Sequence, residues 1–517
     1  MRTSLTGIQK KQRGSHKRNY VGKNVDGILV PNKKFKLQKE LETIKSVSKP
    51  GPAATDVCTR DFFGATYLLY EIAAKTGVLD DLKSCFPDDY DKILSLAFYL
   101  VLEGHNPMYR FSSWSKSHNH PYGMDIPSQR ISELFSRIEE SSKMDFFKKQ
   151  SKRRLENEYL AYDTTSISSY SQSLKQVKYG NNKENDNLPQ INMALLFGET
   201  SGLPVYYRKL SGNIPDVKTI DSLLRELEFM EIKKANLVMV RGFYSEDNIN
   251  DLYKAHHKFL IAGKISLKFI QQKLDEIRED FVTRRNFHSN TNLYMQSFTM
   301  DWAYSETKSR SKEVVKEKRR IYAHFYYNDQ HATDDKIRLN KQLDNMEREI
   351  LENKKTPEND KLYTKYFMIT KTPVRGIKAI PKQDAVDKAI RNCGYFVLLS
   401  NDIKDPVEAL TKYRTKDLVE KAFGNLKERL NMRRESVASE ENLEGKLFVQ
   451  FIALIFMSYI KKAMDDGGLF KNSTMQEMID NLDVIERFHH PGKRPYLGEI
   501  TEKQKKLYEA MLIACPE

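Results

Sequence analysis

The 517-residue chain predicts an α/β fold flanked by helical regions, and three observations predict it. From Glu158 onward, β-rich runs and helical periodicity follow the order strand, strand, strand, helix, strand, helix, strand, the order of an α/β core. Before that point, residues 62–152 carry helical spacing alone. Beyond the last predicted strand, near residue 400, the chain reads as helix to its end.

Residues 1–55 form a basic arm: in the first forty, 11 Lys and Arg face only Asp26 and Glu40. Within it, "RNYVGKNVDGILVPNKKF" predicts a short hairpin turning at Asp26-Gly27. "SKPGPAATD" then reads as a linker ending near Asp56. Residues 56–157 predict a helical domain with three apolar stripes. Leu68, Leu69, Ile72 and Ala73 form one, closed by Gly77; Ile93, Leu94, Ala97, Leu100 and Val101 form another. Ile131, Leu134, Phe135 and Ile138 form the third, after Pro127. Periodicity of this kind is what ordinary core packing requires; DNA binding by the domain is the functional expectation.

Residues 158–265 predict the first part of the core. Its strands are "YLAYDTTSISSY", "QINMALLFGETSG", "LPVYYRKLSGN", "NLVMV" and "KFLIAGKI". A helix with Ile220, Leu223, Leu224, Leu227 and Met230 on one face follows the third strand. Residues 266–390, charged and mixed, read as an insertion holding a β-like "RRIYAHFYY" and an amphipathic helix with Ile337, Leu339, Leu343, Met346 and Ile350. The core resumes over 391–435 with the strand "GYFVLLSND" and a helix, and 436–517 is a helical C-terminal region.

Composition narrows the function. Lys plus Arg number 85 against 70 Asp plus Glu, a net charge of +15 that favours a polyanionic partner, of which nucleic acid is the usual one. Four scattered cysteines form no CxxC pair, which argues against a disulfide framework and a zinc knuckle and suits a reducing cytosol. No apolar stretch follows the basic N-terminus, so no signal peptide is expected. The most apolar run, Leu447 to Ile460, is shorter than the ~20 residues a membrane span needs and predicts a buried core helix.

Two places hold candidate chemistry. Asp163 stands at the end of the apolar "LAYD", where a carboxylate at a strand's carboxyl end faces the ligand crevice of such folds; a turn-capping aspartate reads the same way. The second place is "KYRTKDLVEKAFGNLK", residues 412–427. At about 100° per residue, Leu418, Val419, Ala422, Phe423 and Leu426 share one apolar face. Tyr413, Lys416, Glu420 and Lys427 stack in a narrow stripe at its edge, with Arg414, Asp417, Lys421 and Glu428 toward solvent. A solvated rim of i,i+4 pairs would have the same composition.

The stripe's spacing, Y-x-x-[R/K]-x-x-x-E-x-x-x-x-x-x-K, closely resembles the signature of the DDE transposases of bacterial insertion sequences, in the insertion-sequence-four superfamily. "YDTTSISSYS", "GLPVYYRKLSGNIPD", "VRGFYS", "GYFVLLSND" and "YRTKDLVEKAFGNLKERL" resemble the family's blocks in the family's order, over roughly Phe62 to Ile460. The resemblance implies an RNase H-like catalytic core interrupted by an insertion domain. It implies three acids holding two Mg²⁺ or Mn²⁺ ions, which activate water and then the freed 3′ hydroxyl. Asp163 becomes the first acid and Glu420 the third, both metal ligands. Tyr413, Lys416 and Lys427 become contacts to the transposon end, joined by Arg241. Trp302 becomes a candidate for stacking on a flipped base; a core tryptophan is the alternative. Double-stranded DNA, as transposon ends and target, is the implied partner. A dimer is implied in the synaptic complex, within a bacterial or archaeal cytoplasm.

Two departures qualify the resemblance. Lys416 stands where the signature prefers Arg, keeping the charge but losing the bidentate fork. More seriously, the family's D-R-G-F block reads Val240-Arg241-Gly242-Phe243, so the second acid is missing. Asp247 and Asp251 are expected on the following helix, out of reach of the required place. The implied function is cut-and-paste DNA transposition, with this sequence expected to be inactive. A non-catalytic DNA-binding repressor derived from a transposase is the alternative. A nuclease without strand transfer is a third reading, which the Tyr413–Lys427 signature argues against.

Overall fold

The computed structural model describes residues 21–25, 28–37, 39, 59–104, 106–154, 158–171, 173–183, 186–307, 314–372, 376–430, 434–435, 437 and 439–517. It divides into two units, a small one of residues 1–59 with 489–494 and a large one of residues 60–488 with 495–517. In the small unit, Gly22–Val25 pairs antiparallel with Ile28–Pro31, the expected hairpin. Most of the basic arm and the whole linker lie outside the described residues.

The large unit is mixed α/β, built around a 10-stranded sheet. Its long strands, in chain order, are β1 (Tyr159–Ser169), β2 (Gln190–Gly198), β3 (Pro204–Ser211), β4 (Asn236–Met239), β5 (Lys258–Gly263), β6 (Leu293–Thr307), β7 (Val314–Tyr327) and β8 (Tyr395–Ser400). Their spatial order is β3-β2-β1-β4-β5-β8-β7-β6, with Phe287–His288 on the outer edge of β6. Strands β1, β4 and β5 run parallel, the short Arg434–Glu435 joins β1 in parallel, and the others join antiparallel. Strand β1 is central and buried along its whole length, as its apolar start and Thr/Ile-rich continuation favour.

Two expectations about strands need correction. Asp163 does not end its strand; it is the fifth residue of an 11-residue strand whose second half keeps pairing with β2. The strand that ends there is the neighbour, because β4 stops at Met239 opposite Tyr162. The reading of 266–390 as an insertion separate from the core also fails in part. Strands β6 and β7 from that stretch continue the main sheet outward from β8, Tyr322–Tyr327 pairing with Tyr395–Ser400. Only the region beyond β7 builds its own small core, from Met346, Ile350, Tyr363, Tyr366, Phe367, Ala379 and Val386.

The N-terminal helices, among them Gly64–Lys75, Val78–Cys85, Tyr90–Glu103, Ser128–Arg137 and Glu140–Arg154, bury the expected stripes. They pack on the 27-residue helix Glu440–Asp466 through aromatic pairs such as Phe98–Phe456, with ring centroids 5.5 Å apart, and Phe147–Phe451 at 5.4 Å. That helix is long and apolar enough to cross a membrane, yet 83% of its most apolar window is buried inside the chain. It also packs on β3, which joins the helical region to the sheet. The C-terminal region departs from an all-helical reading in one place: Arg487 and Phe488 pair antiparallel with Leu497 and Tyr496.

Candidate functional site

Register on the central strands sets the geometry of the site. Strands β1 and β4 are parallel, with Tyr162 opposite Met239 as the last pair. One residue further lie Asp163 and Val240, and side chains alternate faces with period two, so the two lie side by side where the strands part. Asp163 is only 9% exposed and accepts the Thr164 N–H at 2.7 Å. Burial raises its pKa above the ordinary carboxylate range; the Lys183 ammonium and the Thr164 N–H oppose the rise, while Asp216 and Glu420 add to it. Asp163 and Glu420, 257 positions apart in sequence, therefore lie within Coulombic reach of one another.

The signature segment is not one regular helix. Pro406–Arg414 begins with Pro406 at its first position, and the Asp405 side chain accepts the Glu408 N–H at 2.8 Å. A second helix covers Lys416–Gly424 and widens to a π turn over Asn425–Arg429, where the Leu430 N–H reaches the Asn425 carbonyl at 3.0 Å. The apolar face behaves as the periodicity predicts, with Val419, Ala422, Phe423 and Leu426 buried against β1 and β2. Arg414, Asp417, Lys421 and Glu428 are exposed, as expected. The single file does not survive to its end. Lys427 lies in the π turn, where a constant 100° step no longer holds.

The rest of the stripe converges on the crevice. Asp163, Glu420, Lys416 and Arg241 all act electrostatically on the Tyr413 phenol, whose pKa burial raises. Lys416 Nζ lies 2.9 Å from Glu420 Oε1 and 2.9 Å from Asp417 Oδ1. Burial works against the Lys416 charge, but its hydrogen bonds to Glu420 and Asp417 outweigh that and hold its pKa above the ordinary value. Lys412 anchors the same segment to the end of β2 through Glu199 at 2.9 Å. Val240, Arg241, Tyr413, Arg414 and Lys416 line one cavity of about 740 Å³ at the carboxyl ends of β4 and β5.

Two neighbours of Asp163 lie outside the residues the sequence singles out. Asp216, in the quoted block "GNIPD", accepts the Thr164 hydroxyl at 2.5 Å, and a side chain built at Gly242 would meet its Oδ2 at 3.1 Å. Lys183 Nζ lies 3.2 Å from Thr164 Oγ1 and 3.7 Å from Asp216 Oδ2, and it also donates to the Thr164 carbonyl. "GNIPD" is a readable signal for Asp216; nothing local in "YGNNKENDN" marks Lys183.

Trp302 is where the stacking expectation fails. It is 5% exposed on β6, its indole N–H bonds Asn250 Oδ1 at 2.9 Å, and its ring packs on Phe269. A base could reach that ring only if the core opened. Asp247 and Asp251 lie on the helix Glu246–Lys254, as expected, and neither is among the leading charges acting on Asp163.

The donor set does not fit a pair of divalent ions. Val240 contributes no ligand atom, Glu420 is engaged by Lys416, and among the described residues no three His, Cys, Asp or Glu side chains are grouped to hold a metal.

The matching family model is the transposase DDE domain, over residues 155–456, more than half of the chain. The chain belongs to that family. Transposases of this kind generally use divalent metals and act on DNA. No curated protein sequence matches the chain. Among solved structures it is similar to a piggyBac transposase synaptic complex with hairpin DNA, determined by cryo-electron microscopy. Identity there is 11%, coverage 86% of this chain and 74% of that one, and the TM-score 0.34.

Proposed function

We propose that this chain is an insertion-sequence transposase with an RNase H-like core, which binds the terminal inverted repeats of its element but, as written, does not cut them. The observation that carries the second half is Val240. It follows Met239, the register partner of Tyr162, and so stands beside Asp163 where a second carboxylate would be needed. The sheet order β3-β2-β1-β4-β5, with three parallel strands and an antiparallel pair, supports the RNase H-like reading. The juxtaposition of Asp163 and Glu420, with Tyr413, Lys416 and Arg241 around them, supports the roles assigned from the signature. The first and third acids are then Asp163 and Glu420; Tyr413, Lys416, Lys427 and Arg241 grip the DNA end. In an active relative, Mg²⁺ or Mn²⁺ would supply the chemistry of strand cleavage and transfer.

Cleavage of a duplex carrying the element's terminal repeats, with Mg²⁺ present, tests the proposal. The Val240 protein should bind and leave the duplex intact, whereas Val240→Asp should restore nicking. Misplacement of a reacting group by 1 Å alone costs about 10²-fold, so a site lacking a ligand should be slower still. Robust cleavage by the unaltered chain would overturn the assignment of Val240. It would move the second-acid role to another carboxylate, Asp216 beside Thr164 being the first to substitute and Asp247 the next.

A further inference from the structure

We infer that Lys183 and Lys416 are built-in cations of the Asp163 crevice, offsetting its carboxylates from within, so that the chain seats a DNA phosphate there without a divalent metal. The inference rests on the DNA-binding reading above and names what replaces the metal.

Two of the three carboxylates of the crevice, Glu420 and Asp216, already have an ammonium. Glu420 has Lys416 at 2.9 Å, and Asp216 has Lys183 at 3.7 Å. Lys183 also acts on Asp163, drawing its pKa down against the effect of burial. Lys183 is held as well as attracted, since Thr164 offers it both the carbonyl and, at 3.2 Å, the hydroxyl oxygen. A divalent ion would have to enter against both ammoniums. With Val240 in place, the strand end beside Asp163 adds no further carboxylate to repay that repulsion at close range.

Besides Lys416, two groups that would take the phosphate are not engaged by the acids of the crevice. Arg241 and Arg414 are exposed, form no ion pair among the described residues, and line the same cavity as Tyr413 and Lys416. Guanidinium groups present paired N–H donors that match phosphate oxygens. Two lysines therefore quiet the crevice while two arginines face outward to the backbone of a duplex.

The test compares binding of the full chain to a terminal-repeat duplex in EDTA and in Mg²⁺, at matched ionic strength. Affinities should agree within about twofold, since phosphate contacts by Arg and Lys respond to ionic strength rather than to a specific metal. Binding that weakens by about tenfold or more in EDTA would overturn the inference while leaving the DNA-binding reading intact. Absence of binding in both buffers would overturn that reading and the inference with it. A second measurement needs no DNA: Mn²⁺ titration followed by electron paramagnetic resonance. The unaltered chain should show no saturable site up to millimolar Mn²⁺; a micromolar site would sink the proposal. Lys183→Met combined with Val240→Asp, folded by circular dichroism, should acquire one.

Discussion

Asp163 carries a charge that its surroundings disfavour. Burial is the main cause of its raised pKa, with Asp216 and Glu420 adding to it. A carboxyl whose folded pKa exceeds its unfolded one contributes stability fully below the unfolded value, and loses it as pH rises through the folded value. At neutral pH Asp163 is therefore a net liability to the fold, a common feature of functional sites. Asp163→Asn keeps an acceptor for the Thr164 N–H and removes the charge. Its melting temperature should exceed that of the unaltered chain at pH 7, and the gap should close as pH falls toward about 4. Thermal unfolding across that range checks this; a lower melting temperature at neutral pH would mean that the Lys183 attraction outweighs burial. Val240 is the counterpart one strand away, half-buried and uncharged, so the pair that should share a role has one charge between them.

Helices are placed here by how closely backbones approach, and two glycines separate the effects. Gly445 lies in Glu440–Asp466 against Ser128–Arg137, and a Cβ there would sit 2.2 Å from the Phe135 carbonyl oxygen and 2.5 Å from its Cα. Those are backbone atoms, so the whole helix would have to shift. Helix propensity favours Ala by roughly 1 kcal/mol, but overpacking of this kind costs about 1–3 kcal/mol. Gly445→Ala should lower stability in a urea titration. Gly424, at φ −56° and with nothing within 4 Å of a built Cβ, has no such constraint. Gly424→Ala should raise stability by up to about 1 kcal/mol. If both variants move the urea midpoint in the same direction, close approach is not what holds the Glu440–Asp466 helix.

Across the whole molecule, charge is unevenly spread. The net +15 is concentrated in part in the first forty residues, of which the first 20 lie outside the described residues. If that arm touches DNA, each phosphate it neutralises adds roughly 0.9 to the slope of log affinity against log salt. A chain lacking residues 1–40 should bind a terminal-repeat duplex more weakly and with a flatter salt slope than the full chain. An unchanged affinity and slope would make the arm a solubilising tail. The measurement is separable from the metal question, because it varies monovalent salt alone.

Local pattern was enough for much of this protein. The order of strands and helices from Glu158 to Gly263 follows from period-two and helical spacing, because each element must bury one face against the sheet. The apolar face of residues 418–426 was legible for the same reason, and "VRGFYS" showed the missing acid outright. What the sequence could not settle depends on contacts between distant residues. Asp163 reads as a strand end, yet β1 continues, since its extent is set by pairing with β2 and its opening by where β4 stops. Trp302 was open between base stacking and a core position, and pairing of β7 with β8 draws its hairpin into the main sheet and buries the ring. Lys183 becomes a crevice cation only because a loop folds back over Thr164. Spacing records which faces must be buried; it holds no record of which distant charge ends up beside which acid.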